Sequence, residues 1–248
     1  MLYLVGLGIN YDLSCSSLKA LKSVENVYLE SYTMPWHYKE VKKFLEDKYN
    51  IKIKMLDRKQ VESNFLIKKS SSHDVALLIG GDVFSATTHF SIFQEAMKKG
   101  IKVKIFHNSS IFSAISKIGL SLYRFGETVT LSFWRKNYHP TSPILKIKKN
   151  FDAGLHSLVL LDVDDVLGFM HAGEGINLLK KMEEKENLSF VEEVVSVSRL
   201  GFNDEKIVFS SIENIIKKEI DLGKPPFSLV VPSKLSEYEK EFLSLYKI

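Results

Sequence analysis

The feature that most constrains this chain is the run DVALLIG at residues 74–80, which leads directly into Gly81 and Asp82. A continuous apolar run of strand length, closed by glycine, describes a strand buried on both faces, and such strands belong to parallel sheets covered by helices. Short apolar runs recur at LYLVGL (2–7) and NVYLE (26–30), IKIKML (51–56) alternates with a period of two, and IKVKIF (101–106) returns as the next strand. Amphipathic stretches separate them. SSLKALKSV (16–24) reads as a helix, and 37–48 has helical spacing with Val41, Phe44, Leu45 and Lys48 on neighbouring faces. HFSIFQEAMKK (89–99) reads as a helix that stops at Gly100, a natural C′ position. Strand–helix alternation of this kind predicts an N-terminal parallel sheet with helices on both faces.

The second half reads differently. ETVTLSFW (127–134) alternates like a half-buried strand, and after NYHPTSP comes a helix ending at Gly154. The strand LHSLVLLDV, the helix INLLKKMEEKE, and the strands FVEEVVSVS, KIVFSS and PFSLVV follow. Ser236 and Glu239 have capping-box spacing ahead of a terminal helix. Fewer crossover helices among these strands predict a C-terminal mixed α/β domain, so the expected division is 1–112 and 113–248, with a hinge near 108–118. A length of 248 residues is sufficient for two such cores.

Composition narrows the class. Hydrophobic residues make up 45% and charged residues 26%, the balance of an ordinary globular protein. No apolar run is long enough to span a bilayer, and MLYLVGLGIN carries no basic leader, so neither membrane insertion nor export is expected. Cys15 is the single cysteine, which rules out an intrachain disulfide and fits a cytoplasmic location, with the thiol expected to pack near a helix start. The net charge of +4 comes from lysines that alternate with apolar residues, the pattern of solvated strand and helix faces and not of a direct nucleic-acid footprint.

The candidate sites follow the apolar runs. Gly6-Leu7-Gly8 allows a sharp turn and close backbone approach, but a dinucleotide fingerprint needs glycine at the position of Tyr11. Asp82, beyond the central strand, either meets a ligand at the carboxyl end of the sheet or caps the next helix. Ser109 and Ser110 of HNSSI (107–111) either cap a helix or present backbone to a ligand. His73, His89, His107, His139, His156 and His171 are scattered without metal-ligand spacing, so no metal site is expected. His89 has a proton-transfer reading beside that of a hydrogen-bonded helix histidine. GxSxG, Walker and HExxH motifs do not occur.

Taken in order, MLYLVGLG, VYLESYT, GGDVFSATTH, HNSSI, LYRFGETVTLSFW, GLHSLVLLDV and DLGKPPFSLVV cover nearly the whole chain, and together they resemble the diphthine synthase family. VYLESYT, ATTH and LYRFGETV are the most specific. The resemblance implies the two-domain tetrapyrrole methylase-like (class III methyltransferase) α/β fold, a homodimer, and S-adenosylmethionine bound in the cleft between domains, with S-adenosylhomocysteine as product. It implies an enzyme that methylates the 3-carboxy-3-aminopropyl-modified histidine of translation elongation factor 2 in diphthamide biosynthesis. Matching motif positions assigns cofactor contacts to Ile9, Asp82, Ser85, Ser110, Ile111, Leu161, Leu200 and Phe227, with Asp82 the candidate catalytic group.

The chain also departs from the family pattern. Val83 replaces a proline, which removes a φ constraint, and Asn10 replaces a glycine, where asparagine tolerates a left-handed conformation. The loop after Asn10 and the loop before Phe169 are shortened, and a YMT-like string has become FMH (169–171). Phe227 stands where histidine is usual and exchanges a polar contact for a ring that can pack on adenine. Two rival readings accompany these departures. One is a degenerate relative that binds elongation factor 2 or ribosomes without methylating; the other is a tetrapyrrole or precorrin methylase.

Overall fold

A parallel sheet organises the first half of the chain. In this computed structural model, which describes residues 1–32, 38–164 and 166–248, the chain divides into two units, Met1–Ala114 and Ile115–Ile248. The first unit runs β1 (Leu2–Gly6), α1 (Cys15–Leu21), β2 (Asn26–Glu30), α2 (Tyr38–Tyr49), β3 (Ile53–Leu56), α3 (Arg58–Glu62), α4 (Phe65–Ser70), β4 (Val75–Ile79), α5 (Phe90–Lys98), β5 (Val103–Phe106) and α6 (Ile111–Ala114). The sheet order is β3-β2-β4-β1-β5, and every pairing is parallel. The period of two explains why the apolar runs are unbroken. On β4, Val75, Leu77 and Ile79 enter one core with Leu2, Leu4 and Leu66, while Ala76 and Leu78 enter the other with Val5, Leu29 and Leu45.

From β1 the chain crosses to β2 on one side, and from β4 it crosses to β5 on the other. The neighbours β1 and β4 therefore flank a switch point, where the carboxyl-end loops splay apart.

The second unit opens with two 3₁₀ turns, Ile115–Ile118 and Leu122–Arg124. It continues β6 (Val129–Leu131), α7 (Ser142–Asp152), β7 (Ser157–Leu161), β8 (Val163–Asp164), β9 (Gly168–Phe169), α8 (Ala172–Lys185), β10 (Glu193–Ser198), β11 (Lys206–Ser211), α9 (Ile212–Lys217), β12 (Phe227–Val231) and α10 (Glu237–Ser244). Its main sheet has the order β11-β10-β12-β7-β6, with only β6–β7 parallel, and β8–β9 form a separate short hairpin. Val159, Leu229 and Val231 of this sheet pack against Ile176, Leu179 and Met182 of α8.

Several local expectations are corrected. The 127–134 strand shrinks to Val129–Leu131, because the chain then leaves the sheet: Phe133 N–H donates to Asp162 Oδ2 at 3.0 Å, and Arg135 and Tyr138 close a turn. Cys15 opens α1 but is exposed and not packed, since Ser17 and Leu21 occupy the buried face. The left-handed residues near Asn10 are Gly8 (φ 68°) and Tyr11 (φ 61°), while Asn10 donates its side-chain amide to Asp12 Oδ2 at 3.1 Å. Thr33 of VYLESYT and His37, the first position of the 37–48 reading, lie outside the described residues.

The Ser236–Glu239 capping box forms, and Glu239 does more than cap. Its carboxylate accepts from Ser236 N–H and Oγ–H at 2.9 Å each, from Arg124, and from the buried His156 Nε2 at 3.1 Å. Ser233 N–H donates to His156 Nδ1 at 3.1 Å, so the ring carries its hydrogen on Nε2 and donates it to Glu239. Burial opposes ionisation of Glu239, but the Ser236 and His156 hydrogen bonds outweigh it and hold the pKa at about 2, against 4.5 in a free chain. A depressed carboxylate stabilises the fold fully above its unfolded pKa and loses that contribution as pH falls toward its folded value. Glu239→Gln is therefore expected to cost up to about 3 kcal/mol near neutrality. The gap to the wild type should close between roughly pH 5 and pH 2 in urea denaturation. A gap independent of pH would contradict this assignment.

Candidate functional site

Three loops converge at the carboxyl end of the first sheet. Gly8 and Gly81 exchange backbone hydrogen bonds (3.0 and 3.2 Å), which ties the loop after β1 to the loop after β4. The loop after β5 reaches both. Asn108 Nδ2 donates to the carbonyls of Gly6 (3.0 Å) and Asp12 (2.7 Å), and Ile9 N–H donates to Ser109 Oγ at 3.2 Å. This packing needs its glycines. A Cβ on Gly6 would lie 2.7 Å from Gly81 O, and one on Gly8 would lie 2.8 Å from both Asn108 Oδ1 and Ser109 Oγ. Ile9, Asp82, Ser85 and Ser110, four of the residues expected from sequence, stand on these loops, and a fifth, Ile111, opens α6 directly after the last of them.

Asp82 is the centre of the arrangement. Oδ1 accepts from Phe84 N–H (3.1 Å) and Ser85 Oγ–H (3.3 Å), while Oδ2 accepts from Asn108 N–H (3.1 Å) and His107 Nδ1 (2.8 Å). Burial opposes its ionisation, but the Phe84, His107 and Asn108 hydrogen bonds prevail and hold its carboxyl below the usual range. The helix-cap alternative fails, because α5 does not begin until Phe90. The geometry also points away from Asp82 as a proton acceptor, since its lone pairs are committed and its pKa is low. Ser109, expected either to cap a helix or to offer backbone, instead uses its hydroxyl to receive Ile9. Ser110 is buried and receives the N–H groups of Ser113 and Ala114 on its carbonyl.

A second buried cluster braces the same loop. His89 is 1% exposed, with Nε2 lying 2.9 Å from both Tyr32 OH and Glu30 Oε2, and Nδ1 bonded to Thr87 Oγ1. Glu30 Oε1 also receives Gly80 N–H at 3.4 Å. Burial, and next the Glu30 charge, push the Tyr32 phenol above its ordinary range. With both ring nitrogens engaged and no exposure, His89 is the hydrogen-bonded histidine and not a proton shuttle. VYLESYT and ATTH thus meet in space, which explains why two distant strings carry specific residues. The individual motifs gave no sign of this pairing, nor of the His107–Asp82 contact. The available signal was positional and held for Asp82 alone, which follows the strand expected to lie centrally; His107 follows β5 at the sheet edge, and Glu30 ends β2.

In the second unit, antiparallel register sets Ser198 opposite Phe227 and Leu160 opposite Ser228. The ends of β7 and β10 and the start of β12 therefore share one sheet edge, and Leu161, Leu200 and Phe227 fall there. Leu161 packs closely on Gly175, where a Cβ would lie 2.7 Å from its Cδ2. Phe227 is buried, with its ring 5.6 Å from that of His171, so two departures from the family pattern meet in one contact. Val83, the third, is fully buried in the sheet core.

Comparison with known proteins agrees with this architecture. The family model for Tetrapyrrole (Corrin/Porphyrin) Methylases matches residues 1–216. Diphthine synthase of Methanocaldococcus jannaschii is 37% identical over 253 residues, covering 98% of this chain and 97% of that protein. Human diphthine methyl ester synthase is 32% identical over 276 residues, covering 100% of this chain and 95% of the relative. A crystal structure of diphthine synthase superposes with a TM-score of 0.85 at 32% identity, covering 99% of this chain and 95% of that one. The ordered motifs, the two sheets and the full-length similarity together establish that this chain belongs to the diphthine synthase family of the tetrapyrrole methylases, and is a methyltransferase.

Proposed function

We propose that this methyltransferase uses S-adenosylmethionine to methylate the amino group of the 3-carboxy-3-aminopropyl-modified histidine of elongation factor 2. The observation that carries the reading is the Asp82-centred convergence of the three loops at the switch point of a parallel sheet, where α/β proteins receive ligands. The residues present fit the cofactor. Gly6 and Gly8 let the three loops close on one another, since a Cβ at either would strike Gly81, Asn108 or Ser109, and Asp82 offers an ionised carboxylate suited to a cationic sulfonium and ammonium. Ser85 bonds that carboxylate, Ile9 and Ser110 stand on the neighbouring loops, and Ile111 opens α6 directly after them. Leu161, Leu200 and Phe227 are assigned to the same ligand by the family motifs. The bound cofactor supplies an electrophilic methyl group on sulfur.

The protein's own contribution is to position. In-line displacement requires nucleophile, carbon and sulfur to be aligned, and fixed geometry supplies about 7–11 kcal/mol in favourable cases. A loop clamped at Gly81 and Asp82 and braced by Glu30 and His89 is rigid enough to impose such alignment. Water exclusion keeps the neutral amine from being resolvated. The degenerate-binder alternative gains nothing from Val83 or Phe227, because both side chains are accommodated in packed cores.

Incubating the enzyme with diphthamide-pathway elongation factor 2 and S-adenosylmethionine should add 14 Da increments to the modified histidine, read by mass spectrometry; an unshifted mass would contradict the substrate assignment. Asp82→Ala is expected to weaken S-adenosylhomocysteine binding by about tenfold or more, the equivalent of one charge-assisted hydrogen bond. Calorimetry checks this, and wild-type affinity would remove Asp82 from the site. Gly8→Ala, with its φ of +68°, should lower stability by about 1–3 kcal/mol as well as affinity. Thermal unfolding with and without ligand separates the two effects.

A further inference from the structure

His107 combines two properties that the other groups of this edge lack. Its side chain is 65% exposed, so a substrate can reach it, and its Nδ1 is held 2.8 Å from Asp82 Oδ2. Asp82 is ionised and can only accept, so Nδ1 carries the hydrogen and, in the neutral ring, Nε2 presents its lone pair. The Phe84 ring stands edge-on to the imidazole, with centroids 6.0 Å apart and planes at 65°, which restricts its rotation. Among the described residues no hydrogen bond reaches Nε2. His89, by contrast, is buried with both nitrogens engaged, and Asp82 has its lone pairs committed. A base fixed in one tautomer by a carboxylate behind it is the arrangement that general-base catalysis requires.

We propose that His107 is the proton acceptor for the amino group that the enzyme methylates, with Asp82 as the residue that positions it. This rests on the function proposed above. An alkylammonium has no lone pair, so it first gives a proton to His107 Nε2. The freed lone pair then forms a bond to the methyl carbon as the carbon–sulfur bond breaks, and that electron pair stays on sulfur, leaving S-adenosylhomocysteine. The product is again an ammonium and must lose a proton before the next transfer. Nε2 releases each proton to solvent through its exposed side and is reset. Once the nitrogen is quaternary no N–H remains, and the need for the base ends.

Two measurements test this. Nitrogen NMR of the ligand-free enzyme labelled at histidine, at a pH where the ring is neutral, should show His107 with its hydrogen on Nδ1, and Asp82→Asn should convert it to a mixture. A wild-type ring with its hydrogen on Nε2 overturns the proposal. In single-turnover assays His107→Ala should lose about 100-fold in rate, keep wild-type affinity for S-adenosylhomocysteine, and regain part of the rate with added imidazole. His107→Gln, whose side-chain amide can still donate to Asp82, should fold and show the same loss. Lost affinity in place of lost rate would make the ring a cofactor contact and overturn its role as base. An active wild type with an equally active His107→Ala also overturns the base alone. A wild type inactive on elongation factor 2 overturns the proposed function and the base with it.

Discussion

Four hydrogen bonds onto one carboxylate hold the carboxyl end of the first sheet together. Asp82 sits after β4, yet two of its donors, His107 and Asn108, come from the loop after β5. Between those strands lies β1, whose own loop is caught by the Gly8–Gly81 exchange and by Asn108. Each contact alone is modest, because folding exchanges it for hydrogen bonds to water, but charge-assisted bonds to a partly buried carboxylate are the stronger kind. Removing Asp82 would leave several donors without a partner, which is a larger penalty than the bonds' net worth. The candidate site depends on this point, through the orientation of His107 and the placement of Ser85 and Asn108.

The second unit solves a similar problem in a similar way. Glu239 gathers Ser236, Arg124 and His156 onto one buried carboxylate, and so anchors the terminal helix to the 3₁₀ turn and to the segment leading into β7. Arg124 belongs to LYRFGETV, so that string is explained by packing within the unit. In both places an acid that reads as a helix cap in sequence becomes the hub of a network assembled from distant segments.

The fold was legible because its signals are local. Apolar runs with a period of two, helical spacing, and stops at Gly100 and Gly154 depend only on near neighbours, and they give the sheets and helices almost as observed. Ends were less legible where tertiary contacts decide them, as when Asp162 draws the chain away from the sheet after Leu131. The candidate site was legible as a set of loops but not as a set of pairs. His107 and Asp82 are 25 residues apart, and Glu30 and His89 are 59 apart; only the strand order brings them together. Chemistry carried by such pairs cannot be read from either member. The proposed substrate rests on resemblance alone, since no residue type or spacing in the chain specifies a modified histidine.

The loops joined by Asp82 are the proposed cofactor site. The most direct test is a crystal structure of the enzyme with S-adenosylhomocysteine. The account predicts the ligand at the carboxyl ends of β1, β4 and β5, in contact with Ile9, Asp82, Ser85 and Ser110. A ligand bound elsewhere, with those loops untouched, would contradict it.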